Sequence, residues 1–145
     1  ADGEPDMWRA TLEERIIGPL AAIKAAAPNL RGSIVLFSGT IAYRPRAGAA
    51  LLAASAAGVE AIVRTLALEL APLRVNGVAP GLLDTPLTDR AFGEAKADIL
   101  SAMAARLPVG RIGNAEDVAA AALMLLRNPY ISGTVVGIDG GARLV

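Results

Sequence analysis

The chain has 145 residues, enough for one domain spanning residues 1–145 and too few for two ordinary ones. Hydrophobic residues make up 54% and charged residues 19%, which supplies a core and excludes a disordered polymer. Lys plus Arg and Asp plus Glu both number 14, aromatics are 3%, and Cys and His are absent; nucleic-acid partners, disulfides, thiolate chemistry, Ser-His-Asp catalysis and a metal site are therefore not expected.

A polar, acidic lead-in, Ala1 to Asp6, is no signal peptide. No Met stands at position 1, which fits a processed chain or a piece of a longer one. A helical pattern runs from Met7 to Ala27, with Leu12, Ile16, Leu20 and Ile23 on one face. Pro28-Asn29 ends it and Arg31-Gly32 turns the chain. Ser33-Ile34-Val35-Leu36-Phe37 is a short, partly β-branched apolar run, the pattern of a strand buried on both faces.

Gly39 to Gly48 reads as a loop. A long helix follows from Ala49 to Leu70, apolar at Val59, Ile62, Val63, Leu66 and Leu70, with Glu60 and Arg64 on its polar side. Arg74 to Ala79 is a second strand, stopped by Pro80-Gly81. An irregular stretch then holds a short helix around Phe92 to Ala105. Asn114 caps a further helix, Val118 to Leu126, whose apolar run stops at Arg127, far short of a membrane span. No membrane association is expected. Thr134 to Ile138 is a third strand, followed by Asp139-Gly140-Gly141.

Helices alternating with short apolar strands predict an α/β fold with a parallel, right-handed sheet covered on both faces. A sheet of only these three strands leaves an open edge.

Several segments together resemble the short-chain dehydrogenase/reductase family. They are Gly32-Ser33-Ile34-Val35-Leu36-Phe37-Ser38, Leu66 to Pro72 with Arg74-Val75-Asn76-Gly77-Val78-Ala79-Pro80-Gly81, Leu83-Asp84-Thr85-Pro86, Gly110 to Ala119, and Ile138-Asp139-Gly140-Gly141. The resemblance runs from Trp8 onward and covers only the C-terminal portion of that fold: a partial Rossmann-like, doubly wound parallel sheet. It implies an NAD- or NADP-dependent oxidoreductase. The family's Gly-rich phosphate loop is not in this sequence, nor is the residue that reads the adenosine ribose. Four strands and the adenosine half of the cofactor site thus fall outside it, and for this chain alone no cofactor is a second expectation.

The resemblance also places the family's catalytic tetrad. Ala54-Ser55 and Ala57-Gly58-Val59-Glu60 set the register, so the Tyr position falls on Leu52 and the Lys position on Ala56. The Ser position falls on Gly39 and the Asn position on Arg15. None of the first three replacements can move a proton or carry charge. Ser38, Thr40 and Tyr43 are the neighbouring hydroxyls that could take over, against plain structural roles for each. Pro80, Gly81, Leu83 and Thr85 stand where the family holds its nicotinamide, on condition that a complementary N-terminal half is present.

Three functions are therefore open. One is a short-chain dehydrogenase/reductase-like oxidoreductase, inactive or non-standard as this sequence stands. Another is a non-enzymatic dimerisation or scaffolding relic, using helices 7–27 and 49–70 as a homo-oligomer interface. The third is changed lyase- or isomerase-type chemistry in the same cleft, through Ser38, Thr40, Tyr43, Asp84 or Arg15. A cytoplasmic location is expected in each case.

Overall fold

The computed structural model describes residues 4–145, so residues 1–3 of the polar lead-in lie outside the described residues. Helix α1 (Pro5–Leu12) runs through a π turn (Glu13–Ile17) into α2 (Gly18–Ala26), and a 3-10 turn at Ala27–Asn29 closes the rod. The helix starts earlier than Met7, at a proline whose missing N–H costs nothing in the first turn. The π turn breaks the uniform pattern read from the sequence. Pro19 has no N–H to offer the carbonyl four residues back, and a Cβ on Gly18 would lie 3.0 Å from the Glu13 carbonyl oxygen. The inserted residue rotates the apolar stripe: Ile23 is buried, whereas Leu12 stays 38% exposed.

Strands β1 (Ser33–Phe37), β2 (Arg74–Pro80) and β3 (Val135–Ile138) form one parallel sheet in the order β1-β2-β3. Ile34 pairs with Val75, and Val78 with Val136. Central β2 is buried from Val75 to Ala79. Helix α3 (Ala50–Glu69) packs on it through Val59, Val63 and Leu66. Gly77 makes that approach possible, since a Cβ there would stand 3.2 Å from Val63 and 3.1 Å from Val135. By length and composition α3 could cross a membrane; in this fold one of its faces lies on the sheet.

Ile23, Leu66 and Val75 form the core on the α2–α3 face. Helix α6 (Ala115–Arg127) covers the other face, where Val78, Val118 and Leu125 form a second core. Asn114 caps α6: its side chain accepts from the Asp117 N–H at 3.0 Å, and Asp117 accepts from the Asn114 N–H at 2.9 Å. The single short helix expected around Phe92 to Ala105 is instead two, α4 (Pro86–Phe92) and α5 (Lys96–Ala104). A 3-10 turn at Gly93–Ala95 separates them, entered at Gly93 with φ 52°, where a side chain would be strained. Among the described residues the outer edge of β1 has no partner strand.

Candidate active site

In parallel α/β sheets ligands gather at the C-terminal ends of the strands. Here that end comprises Ser38 to Tyr43 after β1, Pro80 to Thr85 after β2, and Asp139 to Arg143 after β3.

Ser38 is buried and points away from the open end. Its N–H extends the ladder to the Val78 carbonyl at 2.8 Å. Its hydroxyl lies 3.0 Å from the Ala56 carbonyl oxygen and 3.2 Å from a Glu60 carboxylate oxygen, and has one proton to give to either. Glu60 is therefore half-buried against β1 rather than on a solvated face. Gly39 is extended, and a Cβ there would meet nothing closer than 3.9 Å, so the backbone leaves room for the side chain the family carries at this position.

Thr40 opens a 3-10 turn (Thr40–Ala42) whose backbone oxygen accepts from Tyr43 and Arg44. The turn carries Tyr43 across to β3. A Cβ on Gly137 would sit 3.1 Å from the Tyr43 hydroxyl and 2.6 Å from an Arg143 guanidinium nitrogen, so these two side chains fill the space over that glycine. Burial is the main cause that raises the Tyr43 pKa above the ordinary phenol value; Asp139 raises it too, while Arg143 pulls the other way. A tyrosine serving as acid and base near neutral pH needs the opposite shift. Tyr43 is held as a neutral phenol.

Leu52 is 37% exposed and Ala56 is fully buried. Neither offers a proton or a charge. The Ser55 hydroxyl beside them donates to the Leu52 carbonyl at 2.9 Å. Arg15 stands at the middle of the π turn. Its Nε is shut off from solvent without an acceptor, beside a cavity of about 230 Å³ bounded by Val35, Phe37, Val59 and Ile62. The structure thus does not gather Arg15, Ser38, Thr40 and Tyr43 into one hydrogen-bonded set.

The Pro80 to Thr85 turn is fixed by its backbone. The Gly81 N–H donates to Ile138 at 2.9 Å, and a Cβ on Gly81 would collide with Asp139 at 3.0 Å. Leu83 forms an isolated parallel bridge with Gly113, and the Asp84 N–H donates to the Gly113 carbonyl at 2.8 Å. Successive amides in extended chain point opposite ways, so the Leu83 N–H faces away from Gly113. Thr88 is buried and locks the Thr85 backbone, accepting from its N–H at 3.0 Å and donating to its carbonyl at 2.7 Å. These groups fit the carboxamide edge of a nicotinamide. No residue of this sequence supplies the Gly-rich loop for the pyrophosphate.

Asp139 accepts from the Gly141 and Arg143 N–H groups at 3.1 and 3.2 Å, closing the chain over Pro108 and Val109. A cavity of about 280 Å³ lies there, with Arg111 and Asp117 on its wall. Two guanidinium hydrogen bonds, each 2.7 Å, hold the Asp117 carboxyl down to about 2, helped by the Asn114 amide. The sequence reading missed this pair, although Arg111 and Asp117 flank the helix start it identified. Among the described residues no three Asp or Glu side chains are grouped to hold a metal.

The family model described as enoyl-(acyl carrier protein) reductase matches residues 1–143. The chain belongs to the short-chain dehydrogenase/reductase family. Carbonyl reductase family member 4 of Danio rerio is 37% identical over 141 residues, which cover 94% of this chain and 56% of that protein. A crystal structure of a small-chain dehydrogenase in complex with NADPH superposes with a TM-score of 0.95 at 36% identity, covering 99% of this chain and 67% of that one. An NADPH-bound short chain oxidoreductase from Pseudomonas aeruginosa PAO1, described as containing an atypical catalytic center, matches at 30% identity and a TM-score of 0.84, covering 96% of this chain and 58% of that one. This chain therefore spans 56% of the length of the zebrafish relative and 58 to 67% of these two solved structures.

Proposed function

We propose that this chain is the nicotinamide-side portion of an NAD(P)-dependent short-chain dehydrogenase/reductase-like protein whose reaction centre is non-standard, and that alone it does not perform the family's ordinary hydride transfer. One observation carries the reading: the family's Tyr and Lys positions are Leu52 and a fully buried Ala56. Loss of general acid–base catalysis alone costs about 10²- to 10⁴-fold in rate.

When bound, the nicotinamide would give or take the hydride. This chain's part is to hold its edge, through the outward-facing Leu83 N–H and the hydroxyl of Thr85, on a turn kept in shape by Pro80 and Gly81. Two of the candidate hydroxyls are otherwise engaged: Ser38 donates into α3, and Tyr43 is held neutral beside Arg143. NADPH in the Pseudomonas neighbour supports the reading that cofactor binding and a departed centre coexist on this fold.

We also propose two contacts. The open edge of β1 receives a complementary segment carrying the rest of the sheet and the phosphate loop. Helices 7–27 and 49–70 pair with a second copy; the exposed apolar Met7 and Ile17 and the small Ala50, Ala54 and Ala57 on the α3 surface support this. That second contact also favours the alternative of a dimerisation module without chemistry. Net charge gives no reason to add nucleic acid, and a cytoplasmic site of action suits a nicotinamide cofactor.

The test is steady-state oxidation of NADH and NADPH by the purified 145-residue chain across a panel of ketones and aldehydes. No turnover above the protein-free control is expected. Turnover with any carbonyl would overturn the reading.

A further inference from the structure

We infer that Lys96 is a positioning residue for the Leu83–Thr85 edge, holding it by one ammonium shared between two carboxylates. Lys96 opens α5. Its Nζ lies 2.5 Å from Asp84 Oδ1, on the turn after β2, and it also pairs with Asp89 Oδ1 in α4. The lysine side chain is only 22% exposed, whereas the carboxylates are 58% and 57% exposed. The lysine side chain is thus the more covered member, reaching from α5 to both the turn and α4.

The geometry makes Asp84 a residue gripped from two directions. Its N–H is tied to Gly113 at 2.8 Å, and its carboxylate is tied to Lys96. Thr85, next in sequence, is locked by Thr88, and Asp89 follows one residue later. The three fixings leave the short segment from Leu83 to Asp89 little freedom. Without Lys96 the carboxylates of Asp84 and Asp89, drawn to one point, would repel each other, and the turn would be held by the Gly113 backbone bond and the Thr88 hydroxyl. An isolated exposed ion pair is worth little. Here one cation serves two anions on different elements, so its loss adds repulsion to the lost attraction.

What the edge holds rests on the function proposed above, but the positioning role does not. The deciding experiment is therefore amide hydrogen exchange on the cofactor-free 145-residue chain. In Lys96→Met, exchange across residues 83–89 is expected to quicken about three- to tenfold, with the amides of β2 and α3 unchanged. Lys96→Arg, which keeps the charge, is expected to stay within about twofold of the parent. Raising the salt to about 1 M on the unaltered chain is expected to reproduce part of the same local change, without any substitution. Asp84→Asn is expected to loosen residues 83–85 more than 89–92, and Asp89→Asn the reverse. Unchanged exchange at 83–89 in Lys96→Met, or a change spread evenly over the molecule, would overturn the inference. A failure to bind nicotinamide would count against the proposed function and leave this result standing.

Discussion

The sheet is finished to different degrees across its width, at central β2 under α6 and along the outer strand β1. Around β2 and the start of α6, buried polar groups have partners. Asn76, fully buried in β2, donates to the Ile131 carbonyl at 2.8 Å and accepts from the Thr134 N–H at 3.2 Å. Arg74 reaches the carbonyls of Leu125 and Leu126, each at 2.8 Å. Asp139 and Asp117 accept from backbone amides. Along β1 the opposite holds. Ser33 Oγ and Arg15 Nε are both shut off from solvent without an acceptor or donor, and Phe37 at the end of the strand is 59% exposed. Orphaned buried polar atoms are rare in self-contained structure. Their concentration beside the outer strand β1 is what the proposed complementary segment would explain.

The sharpest way to break this comparison is to truncate one large side chain on each side. Leu125→Ala, on the closed side, removes a fully buried leucine and is expected to cost about 2–5 kcal/mol in denaturant unfolding. Phe37→Ala, on the open side, is expected to cost less than about 1 kcal/mol, because the ring already faces solvent. Equal costs would mean that the β1 side is as complete as the other. A smaller effect is expected for Arg15→Met. It removes an unpartnered donor from a cavity lined by Glu14 and otherwise mainly apolar side chains, so the unfolding free energy should stay level or rise by up to about 1 kcal/mol. A clear loss would reveal a partner that the geometry does not show.

The smallest effect is one of pH. The Asp117 carboxyl lies near about 2 in the fold against 3.8 unperturbed. A depressed folded pKa stabilises above the unfolded value and loses that stabilisation as pH falls toward the folded one. The thermal stability of the parent should therefore fall as pH drops from 3.8 to about 2, and Asp117→Asn should flatten part of that slope. An unchanged slope would show that Arg111 does not hold Asp117 in solution.

Much of this was legible in the residues, and the exceptions have physical reasons. Strand positions and α3 follow from apolar runs and Pro-Gly stops, so they fall within a residue or two of expectation. The π turn left a trace in Gly18-Pro19, a pair that cannot continue an ordinary helix, yet periodicity smooths over a one-residue insertion. Thr85-Pro86 is a helix start, and Gly93 a stop, so the split into α4 and α5 was readable from local chemistry. The direction of Ser38 follows from strand parity with Ile34 and Leu36, which face α2 and α3. The meeting of Tyr43, Gly137 and Arg143 was not legible, because it joins segments about a hundred residues apart through loop geometry. The vacancy at Leu52 and Ala56 is visible only against the family pattern.

Above all, we propose that this chain lacks the proton-moving set of its family. Incubating it with NADPH deuterated at the transferable position, together with a carbonyl panel, and searching the alcohols by mass spectrometry tests that claim most directly. No deuterium is expected in any alcohol beyond the protein-free control. Deuterium in even one alcohol, dependent on the protein, would contradict it.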